Sequence, residues 1–202
     1  MLLDIEESQL VLVDYQVRLL PAMLEGDLVL ANAVRLARWA ALLDVPAFYT
    51  EQNPSGLGAT VPQLLEALEE SEARVLSKMQ FSAVEEGLGE WLRPPAKPAQ
   101  GNARSLPKHL QKPPADQRGS IVIAGCEAHV CLLQTALDLL EDDFEVWVVT
   151  DACSSRSERN RDAAFDRLAG AGAELVTTEM VGFEWVRSAE HPDFKAMQAL
   201  IK

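Results

Sequence analysis

One stretch of this 202-residue chain decides its fold: Ser120-Ile-Val-Ile-Ala-Gly-Cys-Glu-Ala-His-Val-Cys131-Leu-Leu-Gln-Thr-Ala-Leu-Asp-Leu-Leu140. The apolar run Ile121 to Ala124 indicates a buried strand that ends at Gly125, and from about Val130 the apolar residues recur at helical spacing. Cys131 therefore falls in the first turn of a helix, where free N–H groups and the helix dipole favour the reactive thiolate. The alternative is a small apolar residue that packs the helix onto a sheet.

The remainder of the chain repeats this alternation of strand and helix. Further strands are predicted at 9–14, 45–50, 74–78, 144–149 and 173–177, and helices at 28–43, 63–70, 85–92 and 159–169, with a helical tail from residue 192. Such alternation predicts an α/β fold with right-handed crossovers and a parallel sheet covered on both faces. Ligands bind such sheets beyond the carboxyl ends of the strands.

One segment interrupts the alternation. Residues 94–119 carry several prolines and basic residues but almost no aliphatic pattern. Since the strand that begins near residue 120 is needed to complete the same sheet, we expect one domain over 1–202 with a mobile, Pro-rich insertion at about 94–119. A lid is one interpretation of the insertion, and a surface loop is the favoured one.

Composition restricts the class of partner and the type of site. The net charge is −13 and the isoelectric point is near 4.6, so nucleic acid and anionic membranes are not expected partners. The three cysteines form no disulfide framework, and the three histidines are scattered, so neither a metal nor another cofactor is expected. Without a secretion signal or a transmembrane run, we expect a cytoplasmic protein.

Three predicted strands end next to residues that one reaction needs: Asp14, Lys78 and Cys131. A thiolate attacks a carbonyl carbon and forms a thioester, while a carboxylate takes the thiol proton and hands it to the leaving amine. A lysine beside that carboxylate holds it, favours the thiolate and orients substrate. The N–H groups of the turn 125–131 are placed to stabilise an oxyanion. Taken singly, Asp14 is favoured as a cap for the following turn and Lys78 as a surface lysine. The three strand ends taken together favour the reaction.

These residues stand in motifs that resemble the isochorismatase-like cysteine hydrolases. The matching stretches lie at 12–16, 78–83, 125–136 and 146–156, and the resemblance runs from about residue 8 to 182. It implies a three-layer α/β/α sandwich around a Rossmann-like, six-stranded, mainly parallel sheet. It implies Asp14 as general base and acid, Lys78 as its cationic partner and Cys131 as nucleophile. It also implies a cis peptide between Cys126 and Glu127, an oxyanion hole made by the N–H groups of Glu127 and Cys131, and a homo-oligomer.

The chain departs from the metal-dependent members of that family. Where nicotinamidase relatives have Asp-Trp-His-Pro, this chain has Glu51-Gln-Asn-Pro54 with no histidine nearby. It resembles a metal-free branch instead. Because isochorismatase itself cleaves a vinyl ether without a nucleophilic cysteine, the presence of Cys131 favours hydrolysis of an amide-like C–N bond in a small substrate.

The other candidate residues are assigned less specific roles. Gln16, Gln52 and Phe81 follow strand ends and are candidates to contact a ligand, with Phe81 equally well a core residue. Cys126 and Cys153 are interpreted as packing residues, and the minor alternative for His129 is a second proton carrier. Two rival functions remain open, namely a catalytically silent binding or scaffold module and a redox-active thiol protein.

Overall fold

The computed structural model describes residues 1–94 and 118–201. Six strands form one sheet in which every pairing is parallel, in the order β3-β2-β1-β4-β5-β6. The strands are β1 Ser8–Val13, β2 Ala47–Gln52, β3 Arg74–Lys78, β4 Ser120–Gly125, β5 Glu145–Val149 and β6 Glu174–Val176. The two central strands, β1 and β4, are buried along their whole length, as their continuous apolar sequences require.

Helices cover both faces of this sheet. They are α1 Gly26–Leu42, α2 Pro54–Leu57, α3 Pro62–Glu70, α4 Leu88–Leu92, α5 Leu133–Glu141, α6 Glu158–Ala171, α7 Thr178–Val186 and α8 Phe194–Ala199. Helix α1 packs against β1, α3 and α7, whereas α5 packs against β5 and α6. The predicted three-layer α/β/α fold is therefore confirmed. Among the described residues, no helix is both long and apolar enough to cross a membrane.

The strand order reverses between β1 and β4. From β1 the chain adds β2 and β3 on one side, and it then returns to the centre and adds β4, β5 and β6 on the other side. At this switch point Val13 pairs with Gly125, and a Cβ on Gly125 would lie 2.5 Å from the Cβ and carbonyl oxygen of Val13. Only glycine permits this close approach, which brings the carboxyl ends of β1 and β4 together.

Several predicted elements differ from the observed ones in detail. The predicted helix 85–92 is split at Gly87, which has a φ of 94°, into a 3₁₀ turn Val84–Glu86 and α4. Helices α2 and α7 were not predicted from the sequence. The predicted insertion at about 94–119 lies almost entirely outside the described residues.

Candidate active site

Asp14 directly follows β1 and adopts a left-handed backbone conformation with a φ of 56°. Its carboxylate is fully buried. Oδ2 lies 2.8 Å from the Lys78 ammonium, and Oδ1 accepts a 2.6 Å hydrogen bond from the Thr50 hydroxyl. Both carboxylate oxygens therefore have a hydrogen-bond donor, as a buried carboxylate requires.

Thr50 is a site residue that the sequence argument did not identify. It lies on β2 opposite Val13, one residue before Asp14 along β1. The sequence could have indicated it through the pairing of the first two predicted strands. A hydroxyl at the end of the second strand lies beside the residue that ends the first strand.

Lys78 ends β3 and is also buried. Its Nζ lies 2.6 Å from Gln52 Oε1, 2.8 Å from Asp14 Oδ2, 3.1 Å from the Phe81 carbonyl and 3.4 Å from the Gln80 carbonyl. An ammonium has three hydrogens, so the protein already occupies all of them. This leaves no donor with which Lys78 could orient a substrate, contrary to that part of the sequence prediction.

Cys131 lies in a π-helical turn, Ala128–Leu132, that leads into α5, and it is 5% exposed. Its sulfur lies 3.9 Å from Gln52 Oε1. Burial and then the Asp14 charge raise the pKa of the Cys131 thiol to about 12, with Lys78 opposing that rise. Burial thus opposes the thiolate that the position of Cys131 at the start of a helix favours.

The turn between β4 and Cys131 is fixed on both sides. The Cys126 N–H donates to the Val13 carbonyl at 2.9 Å, and the Ala128 N–H donates to the Ser154 carbonyl at 2.7 Å. The peptide bond between Cys126 and Glu127 is cis. Within residues 1–94 and 118–201, the Glu127 N–H makes no hydrogen bond, so it is a donor without a protein acceptor.

The Glu127 side chain is held away from this turn by an ion pair. Arg156 Nε lies 2.9 Å from Glu127 Oε2, and the Arg156 backbone N–H donates to the same oxygen at 3.1 Å. The carboxylate is therefore engaged by a neighbouring loop, and only the backbone of Glu127 belongs to the candidate site.

The three candidate ligand contacts take different positions. Gln52 reaches both Lys78 and Cys131 and belongs to the site. Gln16 is fully buried beneath it, and its amide hydrogens and carbonyl are all used by the backbone of Gln52 and Gly58, so it has no group left for a ligand. Phe81 is 52% exposed, which excludes the core alternative and leaves its ring accessible.

The remaining candidate residues lie outside this cluster. Cys126 and Cys153 are buried free thiols, as expected of packing residues, and burial raises the pKa of each. The His129 ring contacts Ser155 Oγ at 2.9 Å and Asn160 Nδ2 at 3.3 Å, so it is tied to the segment that begins α6. Nowhere in the described ranges do three or more acidic, histidine or cysteine side chains gather as a metal site would require.

Comparison with known proteins places this geometry in one family. The isochorismatase domain model matches residues 8–180. Isochorismatase domain-containing protein 2 of Rattus norvegicus is 38% identical over 197 residues, which cover 98% of this chain and 82% of that protein. The Mus musculus protein 2A is 39% identical over 197 residues, covering 98% of this chain and 84% of the relative.

Solved structures with the same fold include proteins of different descriptions. The MAR1 ribonuclease of Caenorhabditis elegans superposes with a TM-score of 0.84 at 32% identity, over 100% of this chain and 92% of that one. YcaC of Escherichia coli, an octameric hydrolase of unknown specificity, gives 0.77 at 25% identity, with coverage of 98% and 95%. YcaC of Pseudomonas aeruginosa, solved with hexane-2,5-diol and covalent acrylamide, gives 0.79 at 25% identity, with coverage of 98% and 91%.

Proposed function

The chain belongs to the isochorismatase family, and from this premise we propose that it is a cysteine hydrolase that cleaves an amide-like C–N bond of a small substrate. The observation that carries the proposal is the convergence of Asp14, Lys78 and Cys131 at the switch point of the sheet. Burial of a carboxylate, an ammonium and a thiol in one place lowers the stability of the fold, and such clusters are typical of functional sites.

In the proposed mechanism, the thiol proton moves from Cys131 to Asp14 as the sulfur attacks the substrate carbonyl. The raised pKa of Cys131 makes ionisation before attack unfavourable, so proton transfer accompanies formation of the S–C bond. Asp14 then gives the proton to the leaving nitrogen, the C–N bond breaks and a thioester remains. Water, deprotonated by Asp14, attacks the thioester, and the carboxylic acid leaves as the Cys131 thiol is restored.

Lys78 serves this mechanism through Asp14. Because its hydrogens are taken by Asp14, Gln52 and main-chain carbonyls, it holds the Asp14 carboxylate in place and supplies its counter-charge instead of binding substrate. This accounts for the burial of Lys78, since a substrate-binding ammonium would need an open approach.

For the oxyanion we propose the backbone N–H groups of Glu127 and Cys131. The Glu127 N–H has no acceptor in the described part of the chain, and the anchored neighbours Cys126 and Ala128 hold it rigidly. Loss of one such donor costs about 3 kcal/mol of transition-state stabilisation in other hydrolases. Phe81, exposed beside Lys78, is the proposed apolar contact for the substrate.

The same proposal includes the domain organisation, cofactor requirement, assembly and location of the protein. We expect one domain over 1–202 without metal or cofactor, in a homo-oligomer like the octameric YcaC of Escherichia coli. A cytoplasmic location fits Cys126, Cys131 and Cys153, which are all free thiols. The Caenorhabditis elegans neighbour is described as a ribonuclease, but a net charge of −13 opposes binding of a phosphate backbone.

The experiment is a screen of small amides and ureido compounds for ammonia release by the purified protein. Cys131→Ala and Asp14→Asn are each expected to reduce release to background, whereas the matched thiol control Cys153→Ala keeps it. Full activity in Cys131→Ala would refute the thioester mechanism. Folded protein that is silent on the whole panel supports the scaffold alternative, and cleavage of an RNA oligonucleotide lost in Cys131→Ala would replace the proposed substrate class.

A further inference from the structure

The side-chain amide of Gln52 has a single orientation that satisfies its neighbours. Its Nε2 donates to the Met79 carbonyl at 2.8 Å, and a carbonyl can only accept. Its Oε1 accordingly faces the Lys78 ammonium at 2.6 Å and the Cys131 sulfur at 3.9 Å. A flip of the amide would set a carbonyl against a carbonyl and a donor against an ammonium.

Gln16 fixes the backbone that carries this amide. Its Oε1 accepts from the Gln52 N–H at 2.8 Å, and its Nε2 donates to the Gln52 carbonyl at 3.0 Å and to the Gly58 carbonyl at 2.6 Å. Gln16 is fully buried, so water does not compete for these bonds. The two glutamines form a chain of hydrogen bonds from the end of β1 to the thiol.

We propose that Gln52 is a positioning residue that helps to hold the Cys131 thiol protonated before substrate binds, with Gln16 fixing Gln52 in that role. The proposal rests on the function proposed above. The amide oxygen accepts weakly from the S–H group, and its partial negative charge disfavours a thiolate at the same point.

Burial and the Asp14 charge raise the pKa of the Cys131 thiol, Lys78 opposes that rise, and Gln52 adds an uncharged acceptor 3.9 Å from the sulfur. Asp14 and Lys78, from the ends of β1 and β3, are paired with each other and act on Cys131 in opposite directions. On the segment of Cys131 itself, Glu127 is paired with Arg156 and His129 is bonded to its own neighbours. Gln52 is thus an uncharged side chain whose acceptor faces the sulfur. A substitution at this position can either introduce a charge there or remove the acceptor.

The test uses two substitutions of opposite electrostatic sign and a reaction that needs no substrate. Alkylation of Cys131 by iodoacetamide is followed by peptide mass spectrometry from pH 6 to 10.5, since its rate follows the thiolate fraction. Gln52→Glu places a full negative charge beside the sulfur and is expected to slow the reaction at pH 8 at least tenfold. Gln52→Met removes the acceptor and is expected to accelerate it at least tenfold.

The matched control is Gln9→Met, which removes another buried glutamine at the amino end of β1, far from the thiol. It is expected to leave the rate within twofold, and circular dichroism verifies that every variant is folded. If both Gln52 variants change the rate in the same direction, or stay within threefold of the natural protein, the inference is overturned. The proposed function fails by a different result, ammonia release that survives Cys131→Ala, so the two failures are distinguishable.

Discussion

Removal of the Lys78 ammonium is the most informative perturbation of stability in this structure. In Lys78→Met the carboxylate of Asp14 keeps its buried position and its Thr50 donor but loses its counter-charge at 2.8 Å. Breaking a buried ion pair from one side typically costs about 3–5 kcal/mol of unfolding free energy. Since both side chains here are fully shielded from solvent, we expect a loss of about 4 kcal/mol at pH 7.

The assay is a double-mutant cycle by urea unfolding at pH 7. Asp14→Asn added to Lys78→Met removes the unpaired charge, so the double variant should be more stable than Lys78→Met alone. Arg161→Met is the matched control, because its partners Glu158 and Asp162 are largely exposed and such pairs are worth less than about 1 kcal/mol. A loss in Lys78→Met no larger than that of Arg161→Met, or a double variant no more stable than Lys78→Met, would refute the reasoning.

Three further outcomes are expected from other parts of the fold. Gly182→Ala places a methyl group 2.6 Å from the buried Trp39 ring and should lower the free energy of urea unfolding by about 1–3 kcal/mol. Gly170→Ala is the control, because nothing lies within 4 Å of the added methyl group, and it should be neutral or stabilising. Burial raises the pKa of Cys153 from 9.0 to about 12. The stability from this group is therefore fully present below pH 9, and roughly 4 kcal/mol of it is lost as the pH rises toward 12. Cys153→Ala should show a smaller loss of stability at alkaline pH in thermal melts. Gln16→Leu leaves several buried backbone groups unpaired and should cost about 3 kcal/mol; a loss below 1 kcal/mol would contradict the hydrogen bonds assigned to it.

The strand ends were predictable from the sequence because hydrophobic pattern and parallel topology act over short stretches. Apolar runs that stop at Asp14, Lys78 and Gly125 are sufficient to place a carboxylate, an ammonium and a thiol at one edge of a parallel sheet. No knowledge of side-chain packing is needed for that step. The fold class and the location of the candidate site were therefore predictable.

Features that depend on the surroundings of a side chain were harder to predict. The sequence argument for a thiolate at Cys131 took no account of burial, and the structure leaves this residue 5% exposed. Gln16 follows β1 as a ligand residue would, yet its side chain turns inward to the backbone of Gln52. These outcomes depend on the register between strands that are distant in the sequence. The hydrophobic pattern of each strand does not determine that register.

The central claim is that Cys131 becomes acylated during turnover. The most direct test takes a substrate found by the ammonia screen, quenches the reaction in acid during the steady state and measures the intact mass and the peptide masses. The account predicts an adduct equal to the substrate minus its leaving amine, located on Cys131 alone and absent from Cys131→Ala. Turnover without any adduct in either variant, or an adduct on Cys126 or Cys153 with activity retained in Cys131→Ala, would contradict it.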